Sequence, residues 1–295
     1  MKIASFNDVQ DTGRVCSQQH AGFFQIMSRY SIVVMLEVVD KSGKAMEKLL
    51  KELNAAGCGS YSMTASCQLG RDTYKEKFVC FYRSDEATLT DCYQYEDNQA
   101  GDEDAFAREP FVLRFSSVKD LILIPVHTKP EDSLKELDEL HDVVQAVRSN
   151  WGSDNIMILG DFNADGRYLS KRKKQTMRIC SEPYHWLITD DVDTTSSNNN
   201  DNTYDRIVVY GEKMLEAVVS GSAKSFNYQE EFNLTDEETL SVSDHYPVEV
   251  ELKTDQNQED AAPTRPTAAT KGRAPKKGRS LTLRWIRSSR RVVSK

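Results

Sequence analysis

The chain has 295 residues, 39% hydrophobic and 9% aromatic, enough for one large core or two modest ones. No stretch approaches the ~18–20 apolar residues of a membrane span, since the longest run, Ile32 to Val39, is broken by Glu37. The net charge of −8 is uneven: residues 255–295 hold 11 Lys and Arg against 3 Asp and Glu, +8, which leaves −16 on residues 1–254.

An acidic body with a basic end points to a polyanion partner and to cations held by the body. The six cysteines, at 16, 58, 67, 80, 92 and 180, form no CxxC pair, which argues against a zinc ribbon. The opening MKIASFND lacks the apolar region of a signal peptide. An intracellular protein, nuclear or cytoplasmic, with free thiols is therefore expected; a secreted one is expected only if Met1 replaces a removed leader.

In chain order, strands are predicted at 2–6, 31–38, 77–83, 111–116, 121–127, 155–162, 205–210 and 246–252. Between 131 and 150 the apolar residues Leu134, Leu137, Leu140, Val144 and Val147 recur at helical spacing, with Glu131 and Asp132 at the positive end of the dipole. HYPVEVELK alternates Val248, Val250 and Leu252 against Glu249 and Glu251, a half-buried strand. Cys80 sits in a strand-like run and reads as a small core residue. SSNNNDN, 196–202, reads as a polar surface loop. This pattern predicts an α/β (α+β) body of two packed sheets with helices outside, over residues 1–253. Residues 254–295 are polar and rich in Pro, Ala and Lys, and are expected to form a disordered basic tail.

Polar groups border five apolar runs. Asn7 follows KIASF, Glu37 interrupts IVVMLEVV, His127 closes LILIPVH, Asp161 and Asn163 close IMILGDFN, and Asp244 and His245 open HYPVEVEL. Any one of them reads as a cap or turn. Five together are more economically read as groups converging on one pocket, because burying each unpaired would cost several kcal/mol. Oxygen donors (Asn7, Glu37, Asp161, Asn163, Asp244) favour Mg²⁺, Mn²⁺ or Ca²⁺ over zinc. There is no GxSxG nucleophile elbow and no GxxxxGK[ST] loop. Two imidazoles with carboxylates and a hard cation suit water attack on a phosphodiester, one imidazole taking the water's proton and the other protonating the leaving oxygen.

Eight segments in order, SFN, LEV (36–38), GRDTYKEKF (70–78), FAREPFV (106–112), PVHT (125–128), GDFNAD (160–165), TYDRIVVYG (203–211) and SDHYPVEVEL (243–252), resemble the deoxyribonuclease I family. The resemblance covers about residues 1–253. The tail phrase KKGRSLTLR is similar to the basic tail of the deoxyribonuclease gamma type. What it implies is a four-layer αββα sandwich of two mixed sheets flanked by helices, of the endonuclease/exonuclease/phosphatase fold. It further implies Mg²⁺- (or Mn²⁺-) and Ca²⁺-dependent endonucleolytic cleavage of double-stranded DNA, chromatin included, with little sequence specificity, by a monomer.

The resemblance assigns His127 and His245 as catalytic histidines, Glu76 as the carboxylate orienting His127, and Asp205 as the partner of His245. Taken alone, Glu76 and Asp205 read as solvated surface charges. Glu37 and Asn7 match its metal positions, Asp161 and Asn163 its phosphate and metal positions, and Asp244 the same cluster. Arg71 and Tyr74 match groups that reach the minor groove, and Arg108 a phosphate-binding arginine. Two calcium sites have partial matches, one at Asp97 and Asp104 bracketing DNQAGDED, the other at Asp193 with Thr194 and Thr195. His20, His141 and His185 lack such context and read as ordinary.

The chain departs from the family in three places. Gly166 and Thr203 stand where the usual disulfide has cysteines. The segment 8–20, DVQDTGRVCSQQH, replaces a short arginine-containing loop. Val39 stands where an arginine is expected. The tail reads first as a nuclear-localisation or chromatin-binding arm; a membrane-surface peptide, through Leu281, Leu283, Trp285 and Ile286, and a merely solubilising end are the alternatives. The sequon at Asn233 bears on a secreted chain alone. Two rival readings stay open: another phosphoesterase on the same sandwich, and a catalytically impaired DNA- or actin-binding module.

Overall fold

A computed structural model describes residues 1–7, 20–57, 59–71, 73–97, 104–117, 120–197 and 200–254. Met1–Asp260 form one compact unit, and the remainder, Ala261–Lys295, lies outside the described residues. The readings of segment 8–19, of the tail and of Cys16 and Cys58 likewise fall outside them.

The strands in chain order are β1 (Lys2–Phe6), β2 (Ile32–Val38), β3 (Tyr61–Ala65), β4 (Lys77–Arg83), β5 (Thr88–Gln94), β6 (Phe111–Ser116), β7 (Asp120–His127), β8 (Ile156–Asp161), β9 (Tyr184–Trp186), β10 (Asp205–Tyr210), β11 (Lys224–Ser225) and β12 (Val248–Glu251). The helices are α1 (His20–Met27), α2 (Lys44–Ala55), α3 (Ser133–Trp151), α4 (Lys171–Lys174), α5 (Glu212–Ala217), α6 (Tyr228–Phe232) and α7 (Asp236–Val242). They build two six-stranded mixed sheets, ordered β11-β12-β1-β2-β4-β3 and β5-β6-β7-β8-β10-β9.

Alternation along each strand separates the layers. Ile32, Val34 and Leu36 of β2 face Leu121, Leu123, Met157 and Leu159 of the second sheet in the central core. Val33 and Met35 point the other way, onto Ile26 of α1 and Met46, Leu49 and Leu53 of α2. On the far side Ile122, Ile124, Ile156 and Ile158 pack against Leu137, Leu140, Val143, Val144 and Val147 of α3. The result is the four-layer αββα sandwich that the family resemblance implies. Helix α3 ends at Gly152, whose left-handed φ of 62° lets its N–H reach the Arg148 carbonyl.

β1, β2, β7 and β8 run toward one end of the sandwich. β1 and β2 pair in parallel, as do β7 and β8, while β4, β10 and β12 are antiparallel to β2, β8 and β1. The ends of the first set and the beginnings of the second therefore share one edge. Asn7, Glu37, His127 and Asp161 come from the first kind of terminus, and Glu76, Asp205 and His245 from the second.

Candidate active site

Local backbone geometry places the donors. The pairing of β2 with β4 slips between Met35 and Val38, and Glu37 sits in that bulge at φ 54°, a left-handed conformation rare for a glutamate. The irregularity breaks the alternation that would aim residue 37 at α2. β8 ends at Asp161, one residue earlier than predicted, and Asn163 turns at φ 46° with its N–H donating to Asp161 Oδ1 at 2.8 Å. A turn, not the pleat, brings that pair together. Phe162 is fully buried on the α3 side. Glu76 is fixed by Leu69, with which it exchanges backbone hydrogen bonds of 2.8 and 3.1 Å at the base of the 70–75 loop.

Two histidine–carboxylate pairs result. His127 Nδ1 lies 2.7 Å from Glu76 Oε1, and His245 Nδ1 lies 2.6 Å from Asp205 Oδ2. With each Nδ1 facing a carboxylate, each Nε2 is left to face the pocket. His127 Nε2 is 3.1 Å from Glu37 Oε1 and 3.9 Å from Asp161 Oδ2. Asn7 Nδ2 donates to Asp161 Oδ2 at 2.8 Å. Burial alone would depress the His127 pKa, but the Glu76 hydrogen bond and charge, with Glu37, raise it above the usual histidine value. Burial likewise opposes charge on His245, and the Asp205 carboxylate, backed by Asp161 and Asp244, outweighs it and raises the pKa. Burial pushes Glu76 up, while the His127 hydrogen bond and Arg108 pull it below the ordinary glutamate range.

Glu37, His127 and Asp161 present donor atoms within 4.8 Å of one another. The donor set there is carboxylate and carboxamide oxygen beside one imidazole, which fits a hard divalent cation. Asp244 is exposed and outside that trio. Asn163 Nδ2 donates to the Thr128 carbonyl at 3.1 Å. A second trio, Glu182, His185 and Glu212, lies at the other end of β10.

The remaining expected groups are dispersed around this centre. Tyr74 is 54% exposed, two residues before Glu76. Arg71 is held by Asp104 and Asp132, each at 3.2 Å, and by the Ala105 carbonyl. Arg108 Nε lies 2.5 Å from Glu76 Oε1 and a terminal nitrogen reaches the His127 carbonyl at 3.4 Å. Asp97 Oδ2 accepts from the Ala105 N–H at 2.7 Å, while its buried Oδ1 has no hydrogen-bond partner among the described residues. Asp193 Oδ1 accepts from the Thr195 N–H and hydroxyl, at 2.9 and 2.8 Å. His141 bonds the Tyr184 hydroxyl.

Sequence reasoning misses the supporting roles of Ser243 and Arg206, and reads Thr194 only as a neighbour of Asp193. Ser243 donates to the Asn7 carbonyl at 2.8 Å and accepts the His245 N–H at 2.9 Å, tying the start of the β12 segment to the end of β1. Thr194 Oγ1 accepts the N–H groups of Tyr204 and Asp205. Arg206 is fully buried, paired with Asp190 at 2.9 Å and bonded to three carbonyls. An arginine at the start of the apolar run RIVVY is the one signal that could have marked it.

The sequence matches the Endonuclease/Exonuclease/phosphatase family over residues 14–245. The chain belongs to this family. Among members of the family, it is 44% identical over 238 residues to deoxyribonuclease-1-like 1 of Homo sapiens, covering 79% of this chain and 77% of that one. It is 40% identical over 260 residues to deoxyribonuclease-1 of Oryctolagus cuniculus, covering 85% and 92%. It is 38% identical over 263 residues to deoxyribonuclease gamma of Mus musculus, covering 86% and 84%. Family structures share the fold: one from Leptotrichia buccalis superposes with a TM-score of 0.61 at 16% identity, covering 86% and 99%. Another from Bacteroides vulgatus gives 0.55 at 17%, covering 85% and 98%.

Proposed function

We propose that this protein is a divalent-metal-dependent deoxyribonuclease that cleaves phosphodiester bonds within DNA with little sequence preference. The observation that carries the reading is the pair of Nδ1-anchored imidazoles, His127 on Glu76 and His245 on Asp205, at one strand-end edge with Glu37 and Asp161. Its relatives named deoxyribonuclease supply the substrate class.

Water attacks phosphorus, a new P–O bond forms, and the bond to the leaving sugar oxygen breaks. One imidazole Nε2 takes the water's proton and the other delivers a proton to the departing oxygen. Glu76 and Asp205 fix the tautomers and stabilise each imidazolium as it forms. Glu37 and Asp161, with Asn7 and Asn163, would hold Mg²⁺ or Mn²⁺, which when bound neutralises charge on the phosphoryl oxygens. Asp244 contributes negative charge near His245. Tyr74 and Arg71 would face the minor groove, reading shape more than base edges, and Arg108 would draw phosphate toward Glu76 and His127. Asp97 Oδ1, buried and without a partner among the described residues, supports a Ca²⁺ site with Asp104; Asp193 is the corresponding candidate in the 193–203 loop. Residues 1–253 would be the catalytic body and 254–295 a basic tail that engages DNA non-specifically, in a nuclear or cytoplasmic monomer.

Supercoiled plasmid incubated with the protein, Mg²⁺ and Ca²⁺ should be nicked and then linearised, and EDTA should stop it. An intact plasmid across a Mg²⁺, Mn²⁺ and Ca²⁺ series would overturn the reading. Intact His–carboxylate pairs argue against the impaired-module alternative, which predicts binding without cleavage.

A further inference from the structure

We infer that a basic ridge at Arg167, Lys171, Arg172 and Lys173 binds the DNA phosphate backbone beyond the reacting ester, extending the substrate footprint on the His245 side of the pocket. The inference rests on the deoxyribonuclease reading above.

Residues 167–178, RYLSKRKKQTMR, carry six Lys and Arg and no Asp or Glu, inside a body whose first 254 residues total −16. Two of the six are committed to the fold. Lys174 is buried, paired with Asp190 and set against the Trp186 ring, and Arg178 clasps Asp138 at 2.8 Å and Asp142 at 2.7 Å on α3. The other four are exposed. Among the described residues no carboxylate lies within ion-pair distance of Lys171, Arg172 or Lys173. The short helix explains the outward display. Ser170 caps α4 by accepting the Lys173 N–H, while Leu169, Lys174 and Met177 bury the inner face.

Position ties the ridge to the site. It follows Asp161 directly on the 162–170 loop. Asp165 Oδ2 accepts the Thr203 N–H at 2.9 Å, binding that loop to the one that carries Tyr204 and Asp205. Ring centroids step 6.2 Å from His245 to Tyr204 and 5.6 Å from Tyr204 to Tyr168, and the Arg167 guanidinium lies 4.9 Å from the Tyr168 ring. Phosphates recur about every 3.4 Å of axis along one strand. A ridge at that remove meets phosphates several nucleotides from the scissile one. An acidic protein that must approach a polyanion needs such a local reversal of charge.

The test compares the full chain with a Lys171→Gln/Arg172→Gln/Lys173→Gln variant. As a control, Lys44→Gln/Lys48→Gln/Lys51→Gln on α2 removes the same charge from the outer face of the first sheet. Binding of a labelled 30-base-pair duplex is followed by anisotropy in EDTA across a salt series, and cleavage separately with Mg²⁺ and Ca²⁺. The ridge variant should bind about 5- to 20-fold more weakly near 0.15 M salt, with a log–log salt slope shallower by about 2–3. Its KM should rise with kcat unchanged and its thermal midpoint retained. Unchanged affinity and slope, or an equal loss in the α2 control, would overturn the inference. Binding that depends on the ridge with no cleavage by the unaltered chain would instead sink the nuclease reading and leave the ridge standing as a DNA-binding surface.

Discussion

At Nδ1, His127 meets Glu76 at 2.7 Å and His245 meets Asp205 at 2.6 Å, so each ring is oriented before substrate arrives. His127→Ala and His245→Ala are each expected to lower kcat/KM on plasmid by about 10²–10⁴-fold with unchanged circular dichroism. Retention of more than a tenth of the activity in either would remove that histidine from proton transfer. Glu136 permits a test by pH through folding stability alone. It is 1% exposed at the start of α3, accepting the Lys129 N–H, and burial pushes its carboxyl up to about 7. The folded protein thus holds this proton more tightly than the unfolded chain. Stability from this residue is full below the unfolded pKa near 4.5 and is lost as pH rises toward 7. Glu136→Gln should therefore gain on the parent by about 3 kcal/mol in unfolding free energy between pH 5 and pH 8, measured by urea titration. A constant difference would show that Glu136 titrates normally. At this scale the sequence reveals which residue types border apolar runs, but not their partners. Glu76 and Asp205 look like surface charges until the resemblance singles them out, because the pairing spans 51 and 40 residues and depends on tertiary folding.

Among the elements, β7 and β8 hold the most constrained stretch. Gly160 pairs with Val126 one step before His127 pairs with Asp161. At its φ of 140°, a β-carbon would sit 2.0 Å from the Val126 carbonyl oxygen. Gly160→Ala must pry the two strands apart where both site residues are anchored. It should cost several kcal/mol of stability and remove cleavage even at temperatures where the fold survives. A thermal midpoint within a degree or two of the parent would contradict this. The strands with apolar runs are legible from alternation alone: all eight predicted strands occur, with ends shifted by two residues or less. β5, TLTDCYQ, is a polar edge strand with little burial to leave a pattern, and β9 and β11, three and two residues long, are too short to show one. α2 is different, since Met46, Leu49 and Leu53 mark its buried face at ordinary helical spacing. The bulge at Glu37 and the turn at Asn163 leave no periodic trace, because each is a departure from period.

For the molecule as a whole, the acidic body and basic tail make salt the decisive variable. Removing residues 255–295 takes away +8 of charge. The shortened chain should keep its thermal midpoint and its kcat, lose affinity for long DNA, and respond less steeply to salt. A fall in midpoint of more than a few degrees would mean that the tail is part of the folded unit. Fold class is legible from patterning, whereas the direction of the charged ridge near α4 is not: KRKK alone does not say that Lys174 turns inward onto Trp186 and Asp190 while its three neighbours face out.

Glu76, His245 and Asn7 belong to the first sheet's strand ends, and His127, Asp205 and Asp161 to the second's, so the Glu76–His127, Asp205–His245 and Asn7–Asp161 contacts each bridge the two. Neither half of the sandwich owns a complete reacting group. The proposed chemistry therefore needs both sheets packed on each other, and anything that parts them at this edge separates each imidazole from the carboxylate that orients it.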